Sequence, residues 1–406
     1  MHKLLSINNY YYLRGGAEKV FLDHNELMAD QGWAVAPFAM KGEKNQESEW
    51  SRYFVDEIEF GESYSLTQKM VNAVKIIHSR EAQTQVAKLV KDFKPSIAHG
   101  HNIYHHLSTS ILVELHKLGV PVVLTLHDLK LACPAYTMLR DGEICEDCKG
   151  GVHNVFTKKC MKGSTLLSAL VYLEALYTRT FATYRKNVDA YVVPSQFYID
   201  KFVEWGFPRE QFVYIPNYVE QESAAVDAKF GDYFVYAGRL SREKGLPTLV
   251  QAAAQQNTKL VVAGSGPEEA AVKAIVEQKD AHHISFAGYL DKQELASLVE
   301  GCRGVIVPSE WYENCPMSIL EAFGKGKPVI GSDIGGISEM IDHGVDGLKF
   351  TAGSVDELRS AMVSLAEKSD GQLQQMGEAA RMKIRDRFSK QNYLEKTLAL
   401  YQRLLG

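Results

Sequence analysis

Short apolar segments alternate with longer amphipathic segments along almost the whole chain. The apolar segments are typical of buried strands, and the segments between them, such as AEKVFLDHNELMADQG, carry apolar residues at helical spacing. This pattern stops at the polar stretch YIPNYVEQESAAVDAKFGD and then resumes. The predicted strands are HKLLSIN, SIAHGH, VPVVLTLHD and DAYVVPS before the stop, and YFVYAG, TKLVVAG, HISFAG, GVIVPS and KPVIGS after it.

Strands that alternate with helices predict parallel sheets with helices on both faces. We therefore expect two doubly wound α/β domains, residues 1–215 and 216–388, joined by the polar stretch and separated by a cleft. Residues 389–406, SKQNYLEKTLALYQRLLG, predict an amphipathic helix that no strand follows. We expect this helix to cross back and pack on the first domain.

Composition narrows the class of protein. The 406 residues are 46% hydrophobic and 23% charged, with a formal net charge of −5, which predicts a globular protein and argues against a general nucleic-acid binder. No apolar run approaches the length of a membrane span, and the opening MHKLLSINNYYY lacks the pattern of a signal peptide. The expected location is the cytoplasm, where the six cysteines would be reduced.

Two glycine-rich turns are candidate phosphate sites. Gly15 and Gly16, in NYYYLRGGAEKVFL, stand between the first strand and a helix, where backbone amides can approach an anion. The second turn, VAGSGPEE, has Glu269 where a dinucleotide fingerprint needs glycine or alanine. The next strand also ends without an acidic residue, so the sequence argues against a dehydrogenase.

Charged residues follow two strands of the second half. In YAGRLSREKGLPTLV, Arg239 and Lys244 stand where they could clamp a diphosphate. In WYENCPMSILEAFGKGKPVIGSDIGG, Glu313 precedes a short helix that Pro316 opens and Asn314 is expected to cap, and Glu321 lies within that helix. Taken alone, these residues could equally well be solvated charges on the protein surface.

GRLSREKG followed by PSEWYENCPMSILEA resembles glycosyltransferase family 4, whose members are retaining enzymes of the GT-B fold that use nucleotide sugars. RGGAEK, TLHD and IPNYV extend the resemblance over nearly the whole chain. It implies that Arg239 and Lys244 bind the donor diphosphate, that Glu321 holds the ribose, and that Glu313 faces the transferred sugar. Cys315 stands where many relatives have a small residue.

The resemblance gives the remaining donor residues and the chemistry. The amides near Asn314, Cys315, Met317 and Ser318 would point at the donor, and Gly15 and Gly16 would belong to the donor loop of the first domain. Together with Arg239 and Lys244 they would stabilise the departing nucleoside diphosphate without a metal, so no cofactor is expected for catalysis. Attack on the same face, assisted by the leaving phosphate, is the mechanism usually ascribed to the family.

The acceptor side is less specific. His127, at the end of LTLHD, is expected to contact the donor sugar or the acceptor, although a lone histidine is often structural. HGHNIYHHLS also follows a strand, and His101, Asn102 and Tyr104 are expected to form a hydrogen-bonding acceptor wall. A metal site there lacks a carboxylate at ligand spacing, and helix capping is the structural alternative.

Four cysteines, Cys133, Cys145, Cys148 and Cys160, follow the pattern C-x11-C-x2-C-x11-C in a loop spanning 133–160. This spacing fits a structural zinc site that would order the loop. Two disulfides, an iron–sulfur cluster or four unconnected thiols are the alternatives. Zinc is the prediction, and its role would be to shape the acceptor side of the cleft.

Residues 140–186 carry eight Lys or Arg and five Asp or Glu, a local excess of positive charge. Within them STLLSALVYLEALYTRTFATYRK predicts a helix with one apolar stripe. Core packing is the expected use of the stripe, and contact with a membrane surface, consistent with a lipid-linked acceptor, is the alternative. The stripe comprises Leu166, Leu170, Leu173, Tyr177, Phe181 and Tyr184.

The sequence therefore predicts a retaining glycosyltransferase that moves a sugar from a nucleoside diphosphate to a carbohydrate or lipid-linked glycan, as in the synthesis of cell-surface polysaccharides. A sugar-nucleotide epimerase of the same architecture is the second hypothesis. A protein that binds nucleotide sugars without turnover is the third.

Overall fold

Two parallel six-stranded sheets dominate the computed structural model, which describes residues 2–57, 73–220, 229–256 and 258–406. The first half contributes six strands and a small antiparallel hairpin, β5–β6. These strands are β1 (Lys3–Ile7), β2 (Ala34–Phe38), β3 (Ile97–Gly100), β4 (Val122–Thr125), β5 (Leu139–Arg140), β6 (Glu143–Ile144), β7 (Ala190–Val193) and β8 (Phe212–Tyr214).

Helices connect these strands and cover both faces of the first sheet. They are α1 (Gly16–Asp30), α2 (Arg80–Phe93), α3 (Ser110–Lys117), α4 (Asn154–Thr157), α5 (Thr165–Thr180), α6 (Thr183–Asn187) and α7 (Gln196–Glu204). Several begin at a serine whose hydroxyl accepts a hydrogen bond from a first-turn amide, as Ser79 does for α2 and Ser195 for α7.

The second half repeats the alternation more regularly. Its strands are β9 (Tyr233–Ala237), β10 (Lys259–Ala263), β11 (Ile284–Gly288), β12 (Gly304–Val307), β13 (Val329–Ser332) and β14 (Gly347–Phe350). Its helices are α8 (Leu246–Ala254), α9 (Glu269–Gln278), α10 (Lys292–Gly301), α11 (Met317–Gly324), α12 (Gly335–Met340), α13 (Val355–Ala366) and α14 (Asp370–Arg387). A last helix, α15 (Lys390–Leu405), follows.

The strand order fixes where ligands can bind. The first sheet runs β2-β1-β3-β4-β7-β8 and the second runs β11-β10-β9-β12-β13-β14, with every pair parallel. The chain reverses direction across the sheet between β1 and β3 in the first and between β9 and β12 in the second. In doubly wound sheets, ligands bind beyond the carboxyl ends of the strands at these points.

Each sheet is buried by apolar side chains on both faces. In the first sheet, Leu5 and Leu124 face one layer of helices, whereas Leu4 and Val123 face the layer that includes α15. This alternation follows from the two-residue period of a strand, and it explains why these strands read as continuous apolar runs.

The last helix packs on the first domain, as the sequence predicts. Tyr393, Leu394, Leu400 and Tyr401 lie in one buried cluster with residues of β1, β4 and α1. The chain crosses between the domains twice. The two crossings run side by side, because Val219 pairs with Ser389 in a parallel bridge. The two crossings are the connections about which the domains could move.

Some elements differ from the sequence prediction. Strands β2, β8 and β14 were not predicted: Pro37 interrupts β2, β8 has only three residues, and Lys349 interrupts the apolar residues of β14. Asn314 does not cap α11: Pro316 is the residue before the helix, and the side chain of Asn314 bonds elsewhere. Residues 221–228 of the predicted linker lie outside the described residues.

Candidate active site

Four loops meet between the two sheets, and each leaves the carboxyl end of a strand. The loops after β9 and β12 carry Arg239, Lys244 and Glu313, and they flank the switch point of the second sheet. The loop after β1 leads into Gly15 and Gly16, and His127 follows β4. The topology thus brings together the residues that the sequence indicated separately.

Lys244 and Glu313 form the central ion pair. The Lys244 ammonium lies 2.6 Å from Oε1 of Glu313, and the Ser309 hydroxyl donates to the same oxygen at 2.7 Å. The side chain of Glu313 is only 10% exposed. Burial alone would raise the pKa of Glu313, but Lys244 and Ser309 outweigh it and hold that pKa below its usual value. The carboxylate is therefore ionised.

The Arg239 loop is held by the glycine-rich turn that resembles a dinucleotide fingerprint. The amide of Leu240 donates to Ser265, and the amide of Glu268 donates to Leu240, both at 2.9 Å. Arg239 itself is exposed, beside Tyr136 of the first domain. The turn at 264–268 therefore serves as a backbone support for the loop that presents Arg239.

Glycine is required where Lys244 turns into α8. Gly245 has φ of +67°, and a β-carbon there would lie 1.9 Å from the carbonyl oxygen of Pro308. A second close approach was not predicted from the sequence. A β-carbon on Gly336 would lie 1.6 Å from the backbone carbonyl oxygen of Asn314, and the amide of Gly336 donates to the backbone carbonyl of Glu313. The GG pair in SDIGG was the available signal.

Helix α11 points its first turn at the first domain. The amides of Met317 and Ser318 stand in that turn, where helix geometry provides no partner for them. A β-carbon on Gly16 would lie 3.9 Å from Cγ of Met317, so the two predicted donor elements face each other. Burial raises the pKa of Glu321, and the positive charges of Lys19, Lys292 and Lys325 partly offset that rise.

Asn314 holds the domains together, and Cys315 bonds to the connection between them. The Asn314 amide donates to the carbonyl of Leu126 at 2.9 Å, and its oxygen accepts from Ser195 at 2.7 Å. The carbonyl of Cys315 accepts from Asn217 at 3.1 Å. Both residues are buried, but only Asn314 contacts the first domain, whereas Cys315 holds the chain segment that enters the second domain.

His127 stands beside this contact, one residue after Leu126. Its ring is partly exposed, and burial lowers its pKa to about 4, so the ring is neutral at neutral pH. Burial raises the pKa of the next residue, Asp128, to about 6. Asp128 stands in the same TLHD segment but was not among the predicted site residues.

The predicted acceptor wall needs correction. His101 is completely buried, with Nδ1 2.9 Å from Nε2 of His127, and therefore lies behind that residue. Tyr104 is 5% exposed, too little to form a wall. Asn102 is partly exposed, and its backbone bonds to Asn8 and Asn9 beside the loop after β1. His101 and Tyr104 therefore point inward, and Asn102 is the member of the predicted wall that stays partly exposed.

The cysteine-rich loop, residues 133–160, reaches across to the second domain. At the tip of the β5–β6 hairpin, a β-carbon on Gly142 would lie 3.2 Å from the guanidinium of Arg242. Glu146 accepts from the Tyr312 hydroxyl at 3.1 Å and from Lys201 at 2.6 Å. The loop thus touches both segments that carry Lys244 and Glu313.

The four cysteines are free, and Cys133, Cys148 and Cys160 belong to one small apolar cluster with Val155 and Val171. Burial and the neighbouring cysteines raise the pKa of Cys148 to about 12. Among the described residues, no three or more His, Cys, Asp or Glu side chains are grouped to hold a metal ion. The predicted zinc site thus has no assembled ligand set here, and it stays a prediction.

The predicted use of the α5 stripe is wrong for most of its members. Leu166, Leu173 and Phe181 are 72%, 49% and 59% exposed, and only Tyr184 is buried. The helix turns its other face inward because Glu174 pairs with Lys130 at 2.8 Å and with His105 at 3.1 Å inside the domain. Glu174 thus lies on the buried face of α5 together with Ser168, Val171 and Ala175.

With this geometry established, comparison with known proteins gives the family. The model described as "Glycosyltransferase Family 4" matches residues 14–223, and "Glycosyl transferases group 1" matches residues 221–383. The chain therefore belongs to glycosyltransferase family 4.

Curated relatives match over part of their length. The O-antigen chain mannosyltransferase C of Escherichia coli is 27% identical over 244 residues, which are 57% of this chain and 66% of that protein. The D-rhamnosyltransferase WbpZ of Pseudomonas aeruginosa is 30% identical over 39% of this chain and 42% of that protein. These matches thus span less than two thirds of the relatives.

Solved structures match over the whole chain and show the GT-B fold. Sucrose-phosphate synthase from Thermosynechococcus elongatus aligns with a TM-score of 0.74 at 18% identity, covering 100% of this chain and 99% of that chain. Anabaena Alr3699/HepE, in complex with UDP-glucose, aligns with 0.67 at 17% identity, covering 99% and 100%. No described helix combines the length and apolar character needed to cross a bilayer.

Proposed function

We propose that this protein transfers a sugar, with retention of anomeric configuration, from a nucleoside-diphosphate sugar to a carbohydrate or lipid-linked glycan. The observation that carries the proposal is the Lys244–Glu313 pair at the switch point of the second sheet, beside the first turn of α11. The pair offers a cation and an ionised carboxylate within one small, partly buried site. A sugar diphosphate has the complementary groups, a dianion and several hydroxyls.

The arrangement suits departure of a nucleoside diphosphate. As the bond between the anomeric carbon and the phosphate oxygen breaks, negative charge grows on the phosphate, where Lys244, the exposed Arg239 and the first-turn amides of α11 can stabilise it. The acceptor hydroxyl attacks the same face of the sugar, and its proton passes to the leaving phosphate. No protein nucleophile is needed in this sequence of steps.

The second domain would bind the donor, and the first domain would bind the acceptor. Glu321 within α11 would accept hydrogen bonds from the ribose hydroxyls, and Glu313 would accept one from the transferred sugar. Asp128 and Asn102 would face the acceptor, because both lie partly exposed at the carboxyl edge of the first sheet. Relatives named as mannosyl- and rhamnosyltransferases, and a structural neighbour in complex with UDP-glucose, support a nucleotide sugar as the donor.

Transfer itself is the test. Nucleoside diphosphates and their sugars would first be screened by thermal shift, and each donor that stabilises the protein would be incubated with glycan and lipid-linked acceptors. Mass spectrometry should show one added sugar, and proton NMR should show the donor's anomeric configuration in the product. An inverted product would overturn retention. Conversion of the donor alone would favour the epimerase hypothesis, and binding without turnover across all acceptors would favour a sensor.

We further propose that α5 contacts an anionic membrane surface, which would bring a lipid-linked acceptor to the cleft. Leu166, Leu173 and Leu176 are exposed on this helix, Phe181 is exposed directly after it, and the surrounding segment 140–186 has an excess of basic residues. Sedimentation with vesicles containing phosphatidylglycerol should carry the protein down, and Leu166→Ser/Phe181→Ser should weaken this. Equal sedimentation of both proteins would contradict the proposal.

A further inference from the structure

A line of buried rings connects the last helix to the cleft. The Tyr401 hydroxyl lies 3.0 Å from Nε2 of His24 and 2.6 Å from Nδ1 of His99. The other nitrogen of His99 lies 2.7 Å from the Thr125 hydroxyl. The ring of His99 then stacks on that of His101, with centroids 4.9 Å apart. These contacts anchor His101 in the interior of the first domain.

His101 in turn holds the ring of His127 in place. Their rings are nearly parallel, 20° apart, and Nδ1 of His101 lies 2.9 Å from Nε2 of His127. This is the one hydrogen bond that the His127 ring makes within the described residues. Since Nε2 is engaged behind the ring, Nδ1 is the nitrogen left to meet a ligand.

The contact between two nitrogens requires one proton, because two lone pairs or two N–H groups would repel. Burial lowers the pKa of both rings, so each is neutral and carries a single proton. Nε2 of His101 is buried without a hydrogen-bond partner. If His127 donated the shared hydrogen bond, the proton of His101 would be on Nε2, leaving a buried N–H unsatisfied.

The opposite assignment avoids that cost. His101 then donates from Nδ1, its unpartnered Nε2 carries only a lone pair, and His127 accepts at Nε2. The single proton of His127 is therefore on Nδ1, which is directed away from His101.

We propose that His101 is a positioning residue that fixes His127 as its Nδ1–H tautomer, so that His127 presents a hydrogen-bond donor to an oxygen of the bound sugar. This role for His127 rests on the proposed function, whereas the tautomer itself does not. His101 never touches substrate, because it is completely buried behind His127. The surrounding rings hold His101 in the one orientation that makes the hydrogen bond.

The tautomer is measured directly by long-range proton–nitrogen NMR on protein labelled with nitrogen-15 histidine. His127→Gln identifies the His127 signals by their loss. We expect His127 in the wild type to show a protonated Nδ1 and a bare Nε2. The reverse pattern overturns the proposal, even if no donor sugar has been found.

Two substitutions at residue 101 separate positioning from packing. His101→Asn places an amide N–H near the position of Nδ1 and should keep the His127 tautomer, whereas His101→Phe fills the space without a donor and should shift His127 towards Nε2–H. His78→Asn is the matched control, since His78 bonds to Tyr177 and Gln83, outside the line of rings that holds His101. An unchanged tautomer in His101→Phe overturns the proposal.

Kinetics supply an independent readout. His101→Phe should lower kcat for transfer by roughly 10-fold or more, as loss of an oriented donor does, and His101→Asn should recover most of it. Equal kcat in His101→Phe and the wild type would overturn the effect on the substrate. Should His101→Phe fail to fold, the wild-type tautomer and His101→Asn still decide the question. Absence of turnover in the wild type would count against the proposed function and leave the NMR result standing.

Discussion

At the scale of single residues, the Lys244–Glu313 pair makes the sharpest prediction. Lys244→Ala or Arg239→Ala should lower turnover by about 100-fold or more, because each removes a preorganised positive charge beside the leaving phosphate. Lys259→Ala is the matched control, since Lys259 begins β10 at the opposite edge of the sheet. Near-normal transfer by both site variants would remove them from the diphosphate site.

Substitution of Lys244 should also destabilise the folded protein, whereas substitution of Arg239 should not. Removing the ammonium leaves the Glu313 carboxylate buried without its charged partner, which typically destabilises a protein by about 3–5 kcal/mol. Chemical denaturation should therefore show a lower unfolding free energy for Lys244→Ala than for Arg239→Ala. Adding Glu313→Gln should restore part of that stability while turnover stays low. A double variant no more stable than Lys244→Ala would show that the ion pair is not the cause.

The two glutamates should separate binding from turnover. Glu321→Ala should weaken binding of the free nucleoside diphosphate, because the ribose loses its acceptor, and Glu313→Ala should mainly lower kcat. Isothermal titration with nucleoside diphosphate measures the first effect, and Glu378→Ala, a solvent-exposed glutamate on α14, controls for loss of charge. Equal affinity of Glu321→Ala and the wild type for the nucleotide would contradict the ribose role.

At the scale of elements, the strand-ending loops could be predicted from the sequence and the contacts between side chains could not. Arg239, Lys244 and Glu313 follow apolar runs that read as strands, and parallel topology then places them at one edge. Nothing local indicates that His101 lies behind His127, or that Glu174 faces inward with Lys130. Those partners are 26 and 44 residues apart and meet only through packing.

A second prediction at this scale concerns the contribution of the cysteines to the stability of the cysteine-rich loop. Cys148 is 8% exposed and packs with Val155 and Val171, so Cys145→Ser/Cys148→Ser should destabilise the first domain whether or not metal binds. Nucleotide binding by the second domain should be largely retained. A double variant with the wild-type unfolding transition would show that the thiols do not order the loop.

Metal content decides the zinc prediction separately. Protein purified without chelators or added metal would be analysed for zinc and iron, before and after the same substitutions. Zinc bound by the four thiolates requires their deprotonation and convergence, which the structure does not show. Less than about a tenth of an equivalent of zinc, with no iron, rules the metal site out.

At the scale of the whole molecule, the buried histidines tie stability to pH. Burial lowers the pKa of His24 to about 3 and that of His127 to about 4, against about 6.5 in an unfolded chain. Below pH 6.5 the unfolded chain therefore takes up protons that the folded one does not, so stability is complete above that pH and falls as the pH drops towards 4. For His127 the loss approaches about 3 kcal/mol.

The measurement is the unfolding free energy at pH 7.5 and pH 5. His24→Asn removes one of these groups, so it should lose less stability over that interval than the wild type, although it is less stable at pH 7.5 because Tyr393 and Tyr401 lose a partner. An identical pH dependence in both proteins would show that His24 is protonated normally in the folded chain.

Movement of the two domains is the last expectation at this scale. The domains are joined by two chain crossings, which pair at Val219 and Ser389. Contacts beside the site also hold them together, since Asn314 bonds to Leu126 and Ser195. In addition, Glu339 accepts hydrogen bonds from the amides of Gln196 and Phe197. Because a donor bound to the second domain would also contact His127 and the Gly15–Gly16 turn of the first, saturating donor should draw the halves together, with bending near residues 216–220 and the start of α15. Small-angle scattering should then show a smaller radius of gyration with donor than without. Asn314→Ala removes an interdomain contact and should enlarge the unliganded radius, so that the change on adding donor becomes greater. If the radius is unchanged by donor in both proteins, the domains do not close on their substrate.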